Sequence, residues 1–431
     1  MAMFQTEFTI AEIAANEKNA LNGGPFGSKL VSSMYAEKGV PVIRGNNLPF
    51  DKKFHDGDFV YVTKEKAKEL RAHIARQGDV IFTQRGTLGQ IGIIPNYSIY
   101  DEYVVSQSQM KLTVNSEIAD YLYIYYAFRS PVIMGNLISC ASSSGVPHIN
   151  LQTLRDFRLH LPQISIQRKV ASILTAYDDL IENNTRRIAI LEEMARRLFE
   201  EWFVLYRYPG AGDAPVDDQL PDGWVREPIS RLYQGLFDGP HATPAPAENG
   251  PIFLGIGNVT EAGHLDLSKI RHIAEEDFPK WTKRVTPAEG DIVFTYEATL
   301  NRYALIPPGF NGCLGRRMAL IRTAPEHRIN LFLYYYFFSQ QWRDVVQANI
   351  LSGATVDRIP LTSFPSFPVN RPPDGLIHQF DDLVRPMVQQ TQNLQQQNTR
   401  LRAARDLLLP KLISGEIDVS RAPLPLEIAA E

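Results

Sequence analysis

GDVIFTQRGTLGQIGIIPNY, residues 78–97, recurs as GDIVFTYEATLNRYALIPPGF, residues 290–310. Gly, Asp, Phe, two Thr, Leu, Ile and Pro align between the two copies without a gap. Each copy contains a short apolar run rich in β-branched residues, at 80–83 and 292–295, which predicts a buried strand. The chain therefore contains an internal duplication, and its two halves are expected to share one fold.

Further matches extend the duplication in both directions and keep the same order. VPVIRGNNL (40–48) matches PIFLGIGNV (251–259), and GPFGS (24–28) matches GPHAT (239–243). Downstream, DYLYIYYAF (120–128) faces NLFLYYYFF (330–338), and SSGVPHINL (143–151) faces LSGATVDRIPL (351–361). The aromatic stretches predict helices over 121–129 and 331–340. Each half therefore holds one domain of the usual size, roughly 150 residues.

A seven-residue apolar repeat follows each domain and predicts two long coiled-coil helices. The seam positions are Val170, Tyr177, Asn184, Leu191, Leu198, Phe380, Met387, Leu394, Leu401 and Leu408. Leu180 and Met194 widen the first stripe, and the polar Asn184 and Asn398 are expected to fix the register. Pro386 is expected to kink or shorten the second helix. Asp178-Asp179 and Glu192-Glu193 are interpreted as solvated helix faces.

The predicted fold class is α+β. Two duplicated, mixed α/β domains are separated by two long coiled-coil helices, with pseudo-twofold symmetry. The predicted parts are domain 1 (1–162), helix 1 (163–207), a Pro/Gly/Asp-rich linker (208–220), domain 2 (221–370), helix 2 (371–415) and a tail (416–431).

Composition restricts the class of protein. The 431 residues are 44% hydrophobic and 21% charged, which is typical of a globular protein. We find no apolar run of about 20 residues and no signal peptide, so we expect a cytoplasmic chain without membrane contact. The two cysteines, Cys140 and Cys313, cannot form a zinc site by themselves. The net charge of −4 argues against nonspecific coating of nucleic acid but allows a local DNA-binding face.

The search for catalytic motifs gives no candidate. In GGPFGSK (23–29) the lysine follows the serine, whereas a phosphate-binding loop needs Lys before Ser or Thr. GIGNVT (255–260) lacks the third glycine of a dinucleotide fingerprint. We assign no catalytic residue and no metal ligand. A duplicated non-catalytic domain on a coiled coil instead indicates recognition of a twofold partner, for which duplex DNA is the common case.

Loop residues that suit base or phosphate contacts are concentrated in the repeated segments. The candidates in the first half are Lys29, Arg44, Asn46, Asn47, Gln84, Arg85, Thr87, Ser142, Ser143, Ser144 and His148. Those in the second half are His241, Asn258, Tyr296, Glu297, Thr299, Asn301, Arg302, Arg316, Arg317, Ser352 and Thr355. Framework residues repeat while loop residues differ, which favours readers of two different half-sites.

The ordered motifs resemble those of type I restriction–modification specificity (S) subunits. GGPFGSKL, GVPVIRGNNL, the 78–97 segment, LPQISIQRKVASIL (161–174) and the closing LLLPKLISGEI (407–417) carry the resemblance, which covers essentially the whole chain. It implies two target recognition domains that each read one part of a bipartite site in double-stranded DNA. It also implies that the two long helices form an antiparallel coiled coil, set the spacer length and dock two methyltransferase (M) subunits.

Cofactors are expected in the partner subunits and not in this chain. The resemblance implies S-adenosylmethionine in the M subunits, and ATP and Mg in restriction (R) subunits that can join. Two departures from the first half stand out in the second: DGPHAT replaces GGPFGS, and Glu297 stands where Arg85 stands. A carboxylate is repelled by phosphate but accepts well from a cytosine amino group. The alternatives left open are a non-DNA coiled-coil adaptor, an enzyme with an unfamiliar site, and a type IIB-like system.

Overall fold

The computed structural model describes residues 6–141, 147–211, 219–353 and 356–421. The chain divides into two compact units. Unit 1 comprises the residues up to Thr185 together with those from Gln396 onwards, and unit 2 is Arg186–Gln395. Each unit therefore contains a recognition domain and a part of each long helix. The boundaries proposed from the sequence stay predictions.

Strands of unit 1 form one antiparallel sheet, one mixed sheet and one two-stranded ribbon. They are β1 (Thr6–Thr9), β2 (Leu21–Gly23), β3 (Val40–Ile43), β4 (Val60–Val62), β5 (Ile74–Ala75), β6 (Val80–Thr83), β7 (Ile91–Ile93), β8 (Tyr103–Val105), β9 (Gln109–Leu112) and β10 (Arg158–Leu161). One sheet has the order β2-β9-β6-β7 and the other β4-β3-β8-β5, and β1 pairs with β10.

Strands of unit 2 repeat this arrangement. They are β11 (Val225–Pro228), β12 (Gly235–Asp238), β13 (Ala247–Leu254), β14 (Arg271–His272), β15 (Ile292–Thr295), β16 (Arg302–Leu305), β17 (Gly312–Leu314), β18 (Met318–Arg322) and β19 (Pro368–Arg371). The orders are β12-β18-β15-β16 and β14-β13-β17, and β11 pairs with β19. The second sheet of each unit contains one parallel pair, β3 with β8 and β13 with β17. The predicted duplication is confirmed as one topology that occurs twice, except that the second sheet of unit 2 has no counterpart of β5 among the described residues.

Helices cover the sheets and connect the domains. They are α1 (Ile10–Ile13), α2 (Lys64–Glu69), α3 (Tyr121–Arg129), α4 (Pro131–Ser139), α5 (Leu151–Asp156), α6 (Ile164–Phe199), α7 (Phe278–Trp281), α8 (Asn330–Tyr336), α9 (Gln340–Asn349) and α10 (Asp374–Ser414). The predicted strands at 80–83 and 292–295 and the predicted helix at 121–129 coincide with β6, β15 and α3. Helix α8 is shorter than predicted, because the chain turns at Phe337–Ser339 before α9.

The two long helices run antiparallel within unit 1. Asp178 of α6 pairs with Arg405 of α10, and Asn184 pairs with Asn398, so the partner number falls as the first number rises. Helix α6 continues into a π-helical turn, Glu200–Val204. The prediction that Pro386 shortens the second helix is wrong, since α10 continues through it to Ser414. Packing of the helix against its neighbours offsets the one backbone hydrogen bond that a proline removes.

Each unit has its own main core, in which the aromatic helix packs between a sheet and the long helices. In unit 1, Tyr126 and Phe128 of α3 lie in one cluster with Phe82 of β6 and Leu174 of α6. In unit 2, Phe332 of α8 contacts Phe199 and Phe203, and both of these rings contact Phe380. These buried rings hold each sheet on the helix pair, so the loops at the ends of the strands have a rigid support.

Candidate nucleic-acid interface

Five loops of unit 1 meet at the ends of β2, β3, β6 and β9. We call residues 23–29, 43–47, 84–90, 106–109 and 148–149 the unit 1 loop cluster. Backbone hydrogen bonds join them: Gly24 N–H donates to Gln109 O (2.9 Å), Gln84 N–H to Ser108 O (2.7 Å), and Ile149 N–H to Gln84 O (3.1 Å). Predicted reader residues that are distant in sequence are thus brought together on one face.

The corresponding loops of unit 2 are joined by corresponding bonds. We call residues 238–241, 254–261, 296–302, 315–317, 351–353 and 356–359 the unit 2 loop cluster. Gly239 N–H donates to Met318 O (2.8 Å), Tyr296 N–H to Arg317 O (3.2 Å), and Ile359 N–H to Tyr296 O (2.7 Å). The two clusters therefore share one backbone framework and differ in the side chains that they carry.

A glycine is required at the same place in both clusters. A Cβ atom on Gly24 would lie 1.9 Å from the Ser106 carbonyl oxygen, and one on Gly239 would lie 2.1 Å from the Gly315 carbonyl oxygen. A Cβ atom at such a distance would overlap the carbonyl oxygen, so only glycine allows the backbone to pass this close to the end of the sheet. The GP pair of both repeats is thus explained by close backbone packing.

Two of the predicted readers, Asn47 and Asn258, brace their own loops. The Asn47 side chain accepts from Arg44 N–H (2.9 Å) and donates to His55 O (3.0 Å) and Gly57 O (2.8 Å). Asn258 accepts from Gly255 N–H (2.9 Å) and donates to Asp266 O (2.9 Å) and Lys269 O (3.1 Å). Asn47 is fully buried. Each of these side chains uses both of its N–H donors and its carbonyl oxygen within the loop, which points to a structural contribution.

Other unit 1 candidates are more accessible. Lys29, Asn46, Arg85 and Thr87 are exposed, while Gln84 is buried. The Arg44 guanidinium donates to Asp58 O (3.1 Å), and its buried Nε has no partner among the described residues. Arg85 forms a β-bridge with His148 through the backbone, and its side chain makes no hydrogen bond or ion pair with any described residue. Ser142, Ser143, Ser144 and Thr355 lie outside the described residues.

Charged side chains of unit 2 form a network of two separate ion-pair groups, one at each of the two departures noted in the sequence. Asp238 of the DGPH segment pairs with Arg284 and with His241 (2.9 Å). Glu297 pairs with Arg317 through Oε1 and Nε at 3.0 Å. Both carboxylates that unit 1 lacks are therefore neutralised by cations of their own unit, and their repulsion from a phosphate backbone is reduced.

Tyr296 lies beside this network with its side chain buried, at 5% exposure. Its hydroxyl has no hydrogen-bond partner among the described residues. Burial raises the pKa of Tyr296 to about 12, and the carboxylates of Asp238 and Glu297 act in the same direction. Thr83 and Thr295 immediately precede Gln84 and Tyr296. Each carries a buried hydroxyl that has no hydrogen-bond partner among the described residues.

The remaining unit 2 candidates lie around the same face. Arg316 and Ser352 are exposed, and His241 is 64% exposed in its side chain. Arg302 donates to Val259 O (3.4 Å) and pairs with Glu261 (3.2 Å). Thr299 and Asn301 are half-buried, and Asn301 adopts a positive φ of 59° at the turn position that Gly89 (88°) holds in unit 1. All DNA contacts assigned from the sequence stay predictions.

Several residues of these clusters escaped the sequence analysis. Phe26 is 64% exposed at the tip of the GPFGS loop. Gln107 fixes that loop by donating to Gly27 O (2.7 Å) and Leu30 O (2.9 Å). Asp238 and Arg284 take part in the charged network of unit 2. Only Phe26 and Asp238 lay in a repeated motif, so the others had no sequence signal.

Seam residues of the helices are buried or half-buried. Val170, Asn184, Phe380 and Leu394 are buried, and Tyr177, Leu191, Leu198, Met387, Leu401 and Leu408 are half-buried. Leu180 and Met194 are 50% and 49% exposed, so their assignment to the stripe is wrong. They lie on the side of α6 that turns away from the core.

The interpretation of Asp178 as a solvated residue is also wrong. Its carboxylate accepts from Arg405 Nη1 (2.6 Å) and from the Tyr126 hydroxyl (2.7 Å), and both charged side chains are about nine-tenths buried. Asp179 pairs with Lys53 at 2.6 Å, and Glu192 pairs with His264 at 3.1 Å. These carboxylates attach the helices and domains of their own units, which a helical pattern alone does not reveal.

No metal-ligating group of three or more His, Cys, Asp or Glu side chains occurs in the described part of the chain. Cys313 is buried, and burial raises the pKa of its thiol to about 12. None of the helices in the described ranges is both long enough and apolar enough to cross a membrane.

Comparison with known proteins finds chains that are similar to this one. A family model described as a type I restriction modification DNA specificity domain matches residues 26–193. The type I restriction enzyme MjaIX specificity subunit of Methanocaldococcus jannaschii is 24% identical over 399 residues, covering 87% of this chain and 88% of that protein. The HindI specificity subunit of Haemophilus influenzae is 29% identical over 132 residues, covering 30% and 28% of the two chains.

A solved structure confirms the fold. The crystal structure of the type I restriction–modification S subunit from M. genitalium matches with a TM-score of 0.62 at 14% identity, over 95% of this chain and 96% of that one. The duplicated domains with two long helices therefore share the fold of that S subunit. The resemblance found in the sequence is confirmed by the family model and by the specificity subunits that are similar to this chain.

Proposed function

We propose that this chain is the sequence-reading subunit of a DNA adenine methyltransferase complex, in which each unit reads one half of a bipartite site. The observation that carries the proposal is the pair of loop clusters, which share a backbone framework and differ in their outward side chains. Arg85 is exposed in unit 1, where unit 2 has Glu297. Readers of different half-sites need an equal scaffold and different contacts.

The two helices are proposed to set the spacer between the half-sites. The buried pairs Asn184–Asn398 and Asp178–Arg405 fix the register of the helices in unit 1. A constant spacer length requires a fixed register, because a slip of one heptad would move an attached domain by about 10 Å.

Apolar side chains on the outer faces of the helices support docking of M subunits. Each unit leaves large hydrophobic side chains of these helices about half exposed or more. They are Leu180 (50%) and Leu407 (65%) in unit 1, and Ile190 (59%), Met194 (49%) and Leu383 (48%) in unit 2. Two M subunits that carry S-adenosylmethionine are the proposed occupants, with R subunits that use ATP and Mg as further partners.

This chain would then supply no catalytic group of its own and would act in the cytoplasm on duplex DNA. Its proposed contribution is to position the methyltransferase at one sequence. Arg, Asn and Gln side chains of the loop clusters would read base edges, and Lys29 and backbone amides would contact phosphate.

Methylome sequencing tests the proposal. The M subunit is expressed with and without this chain, and the methylated sequences of the host DNA are compared. We expect a split adenine-methylated motif that appears only when the chain is present. A stable complex with the M subunit that yields no such motif would favour the non-DNA adaptor and redirect the search to a protein ligand.

A further inference from the structure

One pair of positions occupies the same place in both loop clusters. In unit 1, the register pairs Thr83 with Gln109, and the residues just beyond are Gln84-Arg85 and Ser108. In unit 2, it pairs Thr295 with Met318, and the residues just beyond are Tyr296-Glu297 and Arg317. Position 85 therefore corresponds to 297, and position 108 corresponds to 317.

The arginine stands at the first position of this pair in unit 1, as Arg85, and at the second position in unit 2, as Arg317. Unit 1 has Arg85 on the loop after β6 and Ser108 before β9. Unit 2 has Glu297 on the loop after β15 and Arg317 before β18. Each unit thus places one guanidinium at this part of its cluster, from a different loop and hence in a different direction.

The arginine of unit 2 is held by its neighbour. Glu297 Oε1 accepts from Arg317 Nε at 3.0 Å, with both side chains mostly buried (24% and 31% exposed). Arg317 also has a positive φ of 69°, a conformation in which bulky residues are uncommon. A constrained backbone and a paired Nε together fix the direction of the guanidinium.

The remaining donors of Arg317 suit one base. Its terminal nitrogens Nη1 and Nη2 make no hydrogen bond with any described residue, so the two-pronged end of the guanidinium is available. Two parallel N–H groups match the O6 and N7 acceptors of guanine in the major groove, which is the commonest specific arginine contact. A carboxylate on Nε reduces the entropy that the side chain loses on binding, because the fork is already oriented.

We propose that Arg317 reads a guanine in the half-site of unit 2 and that Glu297 is the positioning residue that orients it. The inference rests on the proposed function and refines it. It replaces the expectation that Glu297 itself accepts from a cytosine amino group. Arg85, whose side chain is exposed, is the counterpart in unit 1, where no carboxylate occupies the partner position.

The test uses the full complex with the M subunit and duplexes that carry each single-base change in the motif found by methylome sequencing. The measured quantity is the ratio of methylation kcat/KM on the motif to that on each variant. Arg317→Ala is expected to lower discrimination at one guanine of one half-site on the order of tenfold or more. Glu297→Ala is expected to lower discrimination at the same guanine, whereas Glu297→Gln keeps most of it, because the amide oxygen still accepts from Nε.

A double-mutant cycle separates positioning from direct reading. With Arg317→Ala present, Glu297→Ala is expected to have no additional effect on discrimination. An equal additional loss would show that Glu297 contacts a base itself and would overturn the assignment. Glu227→Ala is the matched control and is expected to leave discrimination unchanged, since Glu227 pairs with Arg371 at 3.6 Å outside the loop cluster and its side chain is 24% exposed, like that of Glu297.

Two further outcomes are distinguishable. If Arg317→Ala weakens binding to all duplexes equally and reduces the salt dependence, Arg317 contacts phosphate, and the inference is wrong while the proposed function stands. If the unaltered complex methylates no specific motif, the proposed function itself fails. Assembly of each variant with the M subunit and its circular dichroism spectrum show whether it is folded.

Discussion

The side chain of Asn184 donates a hydrogen bond of 3.0 Å to the side-chain oxygen of Asn398, across the two helices and within the core of unit 1. Both residues are at most 5% exposed. Asn398 also donates to Thr185 Oγ1 (3.3 Å) and to Ile181 O (3.4 Å). Such a pair adds little net stability but penalises any other register, since a shifted helix would bury both amides without partners.

Replacing one member of this pair should destabilise the chain. Asn184→Leu leaves the Asn398 oxygen without its donor, and we expect a loss of about 1–3 kcal/mol in the free energy of unfolding. Denaturant titration of the complex-free chain measures it. Asn183→Leu, at an exposed neighbouring position, is the matched control and should change stability by less than about 0.5 kcal/mol. Equal losses in the two variants would contradict the assigned burial.

Breaking the buried ion pair between Asp178 and Arg405 should destabilise the protein more than breaking the Asn184–Asn398 pair. Arg405→Met leaves the Asp178 carboxylate buried with only the Tyr126 hydroxyl as donor, and we expect a loss of about 3–5 kcal/mol. Arg400→Met, on an exposed position of the same helix, should have little effect. Thermal unfolding of both variants, followed by circular dichroism, checks the difference. Similar melting temperatures would show that the pair is solvated in solution.

Substitution of the neighbouring residues Asn46 and Asn47 should have different effects, one on DNA recognition and the other on stability. Asn47→Ala removes three hydrogen bonds from the 44–57 loop and should lower the free energy of unfolding by about 2 kcal/mol or more. Asn46→Ala should leave stability unchanged, because Asn46 is exposed and makes only one long contact, of 3.4 Å. Its effect, if it reads DNA, is expected in the methylation of one half-site alone. A stability loss in Asn46→Ala would reverse the assignment.

Tyr296→Phe should stabilise the protein. The buried hydroxyl has no partner among the described residues, and its removal should increase the free energy of unfolding by about 1 kcal/mol. Unfolding at neutral pH measures the gain. A destabilised variant would reveal a hydrogen bond made through water or through a residue outside the described ranges.

Tyr296 should also make the stability of the protein fall at high pH. Burial raises the pKa of Tyr296 from the ordinary 10.0 to about 12, so the unfolded chain releases this proton first. Stability from this group is fully present below pH 10 and is lost as pH rises through 12. We expect the stability difference between Tyr296→Phe and the unaltered chain to grow over that window. A constant difference would mean that the hydroxyl is solvated.

Paired deletion of one heptad from α6 and one from α10 should shorten the unread spacer. Seven helical residues correspond to about 10 Å, or roughly three base pairs. Methylome sequencing of the deletion variant gives the new spacer directly. Deletion of a heptad from α10 alone, which misaligns the seam, is the control and should abolish methylation. An unchanged spacer in the paired variant would show that the helices do not set the spacer length.

Much of the fold was predictable because its signals are local or repeated. The apolar runs at 80–83 and 292–295 and the aromatic run at 121–129 became β6, β15 and α3 without a change of boundary. The heptad pattern located both long helices, since a helix buries residues at a spacing that can be read from the sequence. The site was predictable only as a set of loops, because duplication marked where the loops lie and not which side chains point outward.

The sequence by itself determined the duplication, the strands β6 and β15, the helix α3, the two long helices and the resemblance to specificity subunits, since these depend on short-range patterns and on motifs that recur in the same order along one chain. The tertiary structure decided what the polar residues do. Asn47 became a loop brace, Asp178 a buried ion pair, and Glu297 the partner of Arg317. Each of these outcomes depends on an atom supplied by another segment, and for Asp178 the partner is 227 residues away. Local sequence does not encode such a distance, whereas folding brings the two atoms within hydrogen-bond reach.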